Sequence, residues 1–306
     1  MFNVDFVFPY VNSQDKDWQR QYSYCTGTKF NEKDERFRDF SLLKYIFRSI
    51  DIYAPWINKV VMIISSKTQI PSFLRKDYYR LKFVEHKDFI DPFYLPTFNS
   101  NTIEMFIPNI NCIEEHFVYS NDDLLFINPT TKDNFFSNDG KMIKLAYTKR
   151  KTINLNPFQI CCKKSWDTVD NLFTASAPIK GDFTYIKQYH GSASPRLMSH
   201  CKECFNEAKN EIYKSLTMFR SGDINLNQYM YGYYSIFKGN TISVNNESIG
   251  SYVSASDGLS KIKDTIFHCP SKMLCINDTK LMTKEWMNKI YNYLEEKFSK
   301  KSSFEI

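Results

Sequence analysis

No apolar run in the chain approaches the roughly 20 residues that a membrane-spanning helix needs, so nothing reads as a bilayer span. The first residues, "MFNVDFVFPYVN", lack both a basic stretch and a long apolar core. They read as an opening strand and not as a secretory signal. The expectation is therefore a cytoplasmic protein whose eight cysteines are reduced thiols. No long basic stripe precedes the C-terminus, so the net charge of +6 does not call for nucleic acid. It suits anionic ligands such as nucleotides, polyanionic glycans or a membrane surface. Glycine is scarce, with 9 among 306 residues, and no repeat or low-complexity linker is present. Aromatics are abundant at 16%, but alongside so much Lys, Asn and Ile this is the mark of an AT-rich genome and carries little functional weight. The length suits one large α/β domain, or one domain with an insertion.

Short apolar runs alternate with helical patterns over the first half. "VDFVFPYV" is a strand that ends near Asn12, Ser13 and Asp15. Residues 20–38 show no clean period and read as a loop. Leu42, Leu43, Ile46, Phe47 and Ile50 fall at helical spacing, and Pro55 stops that helix. "KVVMIIS" and "LKFVEH" read as strands, the first apolar enough to be buried on both faces. "SNTIEMFIPNI" is a helix capped by Asn99 or Ser100, and "HFVYS" is a further interior strand. This alternation predicts βαβ units and a mostly parallel sheet. After about residue 150 the pattern is harder to read. "SHCKECFNEAKNEIYKSL" is helical, "NLNQYMYGYYSIF" fits a helix or two short strands, and "MTKEWMNKIYNYLEEKFSKKSS" is a helix ending in lysines. That basic end suits acidic lipids or simply the helix dipole.

Ligands gather at the carboxyl ends of strands in open parallel sheets. "VYSNDDLLF" places Asn121, Asp122 and Asp123 at such an end, where buried carboxylates need compensation. Hard oxygen ligands suit Mg²⁺ or Mn²⁺, which bridge diphosphate oxygens; a capped turn is the plainer alternative. Asn12 and Asp15 follow a different strand along the same edge. "ERFRDF" sets Arg36, Arg38 and Asp39 before a helix, as a phosphate grip or a surface ion-pair cluster. "LPTFNSNTIE" gathers Thr97, Asn99, Ser100 and Asn101 at a helix N-terminus, facing an anion or a sugar hydroxyl. His190 has the residue type of a general base, and Arg220 that of a group stabilising phosphoryl charge. "HCKEC" (residues 200–204) and "HCPSKMLC" (residues 268–275) offer zinc ligands, though the pairs lie far apart and the second spacing is wrong for a knuckle.

In this order, these pieces resemble the Stealth family of sugar-1-phosphate transferases. "VDFVFPYVNSQDKDW" resembles the first family block, and "RFRDFSLLKYIFRSIDIYAPWINKVVMIIS" through "HFVYSNDDLLF" the long second one. "YHGSASPRL" with "FRSGD" resembles the third, and "KMLCINDT" the fourth, through Cys275, Asn277 and Asp278. Several positions depart from the family pattern. Phe8-Pro9-Tyr10 replaces an aromatic–Thr–Trp segment, Ser13 a glycine, Lys44-Tyr45-Ile46 an Arg-Tyr-Ser, and Gly191-Ser192 follows His190 in place of x-Pro.

The resemblance implies an α/β, GT-A-like Rossmann-type nucleotide-sugar fold with a mostly parallel central sheet and additional helices in the C-terminal half. It implies a single catalytic domain over 1–306: a nucleotide-sugar core at 1–150, an acceptor-side region at 151–268 and a closing segment at 269–306. Catalytic roles carry over to Asp122, Asp123, His190 and Arg220, with Mg²⁺ or Mn²⁺ on the two aspartates. Asn12, Asp15, Arg36, Arg38, Asp39, Asn99, Ser100, Asn101, Asn277 and Asp278 are the expected substrate-binding set. The implied reaction moves a hexose-1-phosphate from a nucleotide sugar, a UDP-sugar first, to an oligo- or polysaccharide hydroxyl in capsule or cell-surface polysaccharide synthesis. The implied place is the cytoplasm, with peripheral association at the inner membrane face; the oligomeric state, a homo-oligomer included, stays open. The rival enzyme is an ordinary metal-dependent glycosyltransferase. A glycan-binding or zinc-stabilised protein with a decayed site is the rival from another class, and the retained "NDD", "FR" and "CIND" count against it.

Overall fold

β-Branched and aromatic residues dominate the first strands, and they are buried on both faces as their composition requires. A computed structural model describes residues 2–32, 34, 37, 42–151, 153–173 and 185–306. Its strands are β1 (Val4–Pro9), β2 (Val60–Ile64), β3 (Leu81–Glu85), β4 (His116–Tyr119), β5 (Leu124–Phe126), β6 (Ile143–Arg150), β7 (Tyr185–Gln188), β8 (Ser194–Leu197), β9 (Thr241–Val244), β10 (Gly250–Ser254) and β11 (Met273–Asn277). Its α-helices are α1 (Lys16–Thr26), α2 (Leu43–Tyr53), α3 (Ser100–Met105), α4 (Pro157–Leu172), α5 (Met198–Glu207), α6 (Lys209–Ser215), α7 (Tyr229–Phe237), α8 (Asn246–Ile249), α9 (Leu259–His268) and α10 (Lys284–Lys297).

The main sheet runs β3-β2-β1-β4-β8. Its first four strands are parallel, and β8 closes one edge antiparallel to β4. This is the expected α/β architecture with a mostly parallel sheet. Two smaller sheets flank it, β10-β11-β5 and β7-β6-β9. Strands from the stretches 151–268 and 269–306 are thereby woven into the first half: β8 extends the main sheet, and β11 pairs with β5.

Helix α2 covers the main sheet with the predicted apolar stripe; Leu43, Ile46, Phe47 and Ile50 are all buried. Each such side chain contributes roughly 1.5–3 kcal/mol on burial. Tyr45 and Arg48 of α2 are buried too, because the C-terminal segment packs over them. Arg48 Nε and Nη2 donate to Glu305 at 2.9 and 3.1 Å, and Nη1 donates to the Phe298 carbonyl at 2.6 Å. Phe304 packs tilted against Phe47, with ring centroids 4.9 Å apart.

The reading of residues 20–38 as a loop is corrected in part, since Lys16–Thr26 is helical. Asp15 caps α1, its side chain accepting from the Asp17 and Trp18 amides. Trp18 is the one buried residue of that helix, so its apolar face is too narrow to show a period. "NLNQYMYGYYSIF" resolves as a helix, with every residue of α7 buried. His200, Cys201 and Cys204 are buried on α5, and His200 Nδ1 lies 2.9 Å from Ser235 Oγ. Among the described residues they form no metal-binding group with Cys269 or Cys275. Among the described residues, no helix is long and apolar enough to cross a membrane. At the basic end of α10, Lys297 packs inward over the Tyr53 ring at 5.7 Å.

Candidate active site

A cavity of about 1000 Å³ opens at the carboxyl ends of the main sheet's parallel strands. Its floor is the turn between β4 and β5. The chain leaves the main sheet at Tyr119, turns through Asn121, Asp122 and Asp123, and enters the second sheet at Leu124. All three turn residues line the cavity. The Ile276 amide donates to the Asp123 carbonyl at 3.0 Å, which pins the turn to β11. The antiparallel register sets Cys275 opposite Leu124. Cys275 Sγ then donates to Asp123 Oδ2 at 3.4 Å. Asp123 Oδ1 is buried and has no hydrogen-bond partner. Burial pushes the Asp123 carboxyl up; His190 and the Cys275 thiol oppose that shift.

His190 follows β7 in the segment leading to β8. Two glycines bring it in. A Cβ on Gly191 would lie 2.7 Å from the Tyr189 ring and 2.9 Å from the Ser251 backbone, and one on Gly250 would lie 2.1 Å from the Gly191 carbonyl oxygen. Backbone contacts this close require glycine. His190 Nδ1 lies 3.4 Å from the Tyr229 hydroxyl. Burial holds its pKa below the usual value, against the pull of Asp123. One ligand atom each from Asp123, His190 and Cys275 lies within 4.8 Å of the other two.

The opposite side is built on α3. Asn99 caps this helix by accepting from the Asn101 amide. Its Nδ2 lies 3.0 Å from Thr217 Oγ1 and 3.1 Å from Asn225 Oδ1, so it moors the 217–225 loop. That loop carries Arg220, whose Nη2 donates to Ser100 Oγ at 2.8 Å. Ser100, Asn101 and Arg220 line the cavity, as do Asn277 and Asp278 at the end of β11.

One turn after Ser100, Glu104 also lines the cavity. Its Oε1 accepts from the Tyr119 hydroxyl at 2.8 Å, while Oε2 is buried without a partner. Burial pushes this carboxyl up to about 7, against the Tyr119 bond, the Arg220 charge, the Gln228 backbone amide and the Arg196 charge. Sequence reading missed Glu104 as a site residue. The available signal was its place four residues after Ser100, which puts both on one helix face. Behind this wall Arg196 is fully buried, and its Nη2 donates to Gln188 Oε1 at 3.1 Å and Gln228 Oε1 at 2.7 Å. Gly232 of α7 leaves room for that cluster, since a Cβ there would fall 2.1 Å from Gln188 Nε2.

Three expected residues do other work. Asp15 accepts from Thr68 Oγ1 at 2.6 Å and Gln69 Nε2 at 2.7 Å while capping α1. The Asn12 amide donates to Gln69 Oε1 at 2.6 Å. Neither residue lines the cavity, although their strand ends at the same edge; Asn99 is buried beneath it. Arg36, Arg38 and Asp39 lie outside the described residues, next to Phe37, which does line the cavity.

The chain is similar to known proteins along its length. The pattern of the Stealth protein CR2, conserved region 2, matches residues 36–144, the stretch that carries Glu104 and the Asn121–Asp123 turn. A capsular polysaccharide phosphotransferase WcwK of Streptococcus pneumoniae is 30% identical over 338 aligned positions, covering 100% of this chain and 98% of the relative. The capsular polysaccharide phosphotransferase SacB of Neisseria meningitidis serogroup A is 28% identical over 99% of this chain, which spans only 57% of that longer relative. The exopolysaccharide phosphotransferase cps2G of Lactiplantibacillus plantarum is 38% identical over 45% of this chain and 41% of its own length. With a 30% identical relative matched along nearly the whole of both chains, the chain belongs to the Stealth family of phosphotransferases.

Proposed function

We propose that this phosphotransferase moves a hexose-1-phosphate from a nucleotide diphosphate sugar, a UDP-sugar first, to a hydroxyl of a capsular or cell-surface glycan. The observation that carries the reading is Asp123, which lines a cavity large enough for a nucleotide sugar and has a buried, unpartnered Oδ1. The parallel sheet with an acidic turn at a strand end supports a GT-A-like nucleotide-sugar fold. A cytoplasmic site of action, peripheral to the membrane's inner face, belongs to the same reading.

In the reaction, the glycan hydroxyl oxygen attacks the phosphorus next to the sugar. The bond from that phosphorus to the bridging oxygen breaks, and nucleoside monophosphate leaves with the bridging oxygen. A phosphodiester remains on the glycan. Such transfer depends on positioning and charge neutralisation more than on covalent help. His190, kept neutral by burial, takes the hydroxyl proton on Nε2 while Nδ1 faces Tyr229. Arg220, held by Ser100, balances charge on the phosphoryl oxygens. Glu104, with one free oxygen, accepts a sugar hydroxyl. Asn277 and Asp278 line the sugar or nucleotide end.

The unpartnered carboxylate oxygen of Asp123 fits a cation. Asp122 and Asp123 would hold Mg²⁺ or Mn²⁺, which when bound neutralises diphosphate charge.

Product analysis tests the proposal. The protein is incubated with Mg²⁺ or Mn²⁺, a panel of nucleotide sugars and an acceptor oligosaccharide, and the nucleotides are separated. Nucleoside monophosphate appearing together with a glycan phosphodiester is expected. Nucleoside diphosphate would overturn the reading in favour of a glycosyltransferase.

A further inference from the structure

The cavity has a wall that the mechanism above does not use. It is the ribbon formed by β6 and β7, which pair antiparallel with Thr148 opposite Lys187 and Arg150 opposite Tyr185. Residues directly opposite share a face of the ribbon, and so do residues two apart on one strand. Thr148, Arg150 and Lys187 therefore project from one face, and all three line the cavity. The alternate position on β6, Lys149, belongs to the other face.

Two cations on one face repel unless something negative lies between them. Among the described residues no carboxylate is in ion-pair reach of either. Lys187 is half-buried, and its ammonium sits 5.5 Å from the centroid of the Phe158 ring. A quadrupole contact of that kind offsets only part of the cost of burying an ammonium. Burial first, and the Arg150 charge in addition, hold the Lys187 pKa below its ordinary value, with Cys162 opposing. The acidic residues of the cavity, Asp122, Asp123, Asp278 and Glu104, come from the β4–β5 turn, the end of β11 and α3, and none comes from the β6–β7 ribbon. The cavity therefore has an acidic side suited to a cation and a separate basic side suited to an anion.

We propose that Thr148, Arg150 and Lys187 form an oxyanion subsite that binds a phosphoryl group of the substrate. This rests on the phosphotransfer reading and adds a second anion-recognition point to it. Arg150 grips two oxygens through its fork, Lys187 supplies a point charge, and the Thr148 hydroxyl donates. Two sources carry this chemistry: the diphosphate of the donor, and a phosphodiester already present in the acceptor chain.

The test measures binding without turnover. Wild type, Arg150→Ala, Lys187→Met and Lys187→Arg are titrated calorimetrically with inorganic pyrophosphate and, separately, with a phosphodiester-linked disaccharide. Methionine keeps an apolar stem against Phe158, and Arg150 is exposed, so one variant folds even if the other does not. Binding at least 10-fold weaker in Arg150→Ala and Lys187→Met, retained in Lys187→Arg, supports the subsite. A loss confined to pyrophosphate assigns it to the donor, and one confined to the disaccharide assigns it to the acceptor. Affinities within 2-fold of wild type for both probes overturn it, as does a wild type that binds neither. Product identity in the wild type is read separately, so the subsite can fail while sugar-phosphate transfer stands.

Discussion

Arg220 Nη2 donates a 2.8 Å hydrogen bond to Ser100 Oγ, tying a loop beyond α6 to the first turn of α3. Glu104 lies one turn further along the same short helix, so a single element carries a cation's anchor and a carboxylate with one unpartnered oxygen, both lining one cavity.

That bond makes Arg220 the first target. Arg220→Met should lower kcat by about 10²–10³-fold, the usual loss for one donor aimed at developing charge. Its guanidinium is exposed, so the melting temperature should hardly move. Ser100→Ala removes only the anchor and should cost less, chiefly in kcat. A wild-type rate in Arg220→Met would remove it from the mechanism.

Asp123→Asn should abolish most turnover while leaving the fold intact, because the amide keeps the shape of the turn and the Asp123 backbone stays bonded to Ile276. Circular dichroism and a steady-state assay on the same sample check both halves. Near-normal activity with metal present would sink the assignment of the cation to this residue.

Glu104 gives a pH signature in stability. Its folded pKa of about 7 lies above the ordinary 4.5. Stability linked to this carboxyl is therefore fully present below pH 4.5 and is lost as pH rises through 7. The loss is on the order of 3 kcal/mol for a group this buried. Glu104→Gln should melt higher than wild type at pH 8 and nearly level with it at pH 4. Melting curves offset equally at both pH values would contradict the burial argument.

At the far side of the sheet, Arg48→Met strands the buried Glu305 carboxylate. Removing one partner of a buried pair costs about 3–5 kcal/mol. The double variant Arg48→Met/Glu305→Gln should recover part of that loss in chemical denaturation. No recovery would mean that Glu305 finds adequate partners without Arg48.

Gly232→Ala probes the cluster behind the cavity. The added methyl meets Gln188 Nε2 and Arg196 Nη1, neither of which has room to retreat inside a buried core. A cost of about 1–3 kcal/mol is expected from overpacking. A neutral effect in thermal melts would show that the cluster rearranges freely.

The parallel half of the fold was legible because β2 is apolar on both faces, with Val60–Ile64 buried at every position, and because the α2 stripe is wide. Helix α1 was not, since Trp18 is its single buried residue. The small sheets escaped for another reason. Strand β9 has no buried residue, and β11 reaches β5 across about 150 residues, so no local period marks either pairing. Within the site, the acidic turn, His190 and Arg220 could be named from residue type and family resemblance. The meeting of Asp123, His190 and Cys275 depends on a crossing between sheets that no spacing encodes. Glu104 was hidden because an acid in a short helix normally marks its wet side, and here it is buried.

The turn through residues 120–123 has one further consequence. Leu124, Leu125 and Phe126 are all buried, so β5 presents oil on both sides and burial cannot tell one pairing frame from the next. The count of residues between Tyr119 and Leu124, together with the Ile276 amide on the Asp123 carbonyl, holds Leu124 against Cys275. A single insertion there would slide β5 by one position and turn every side chain over. The core would close almost as well, and the carboxylate of Asp123 would point elsewhere. Such a protein would keep an apolar core while losing the placement of Asp123, which makes loop length at this point as telling as the residues it contains.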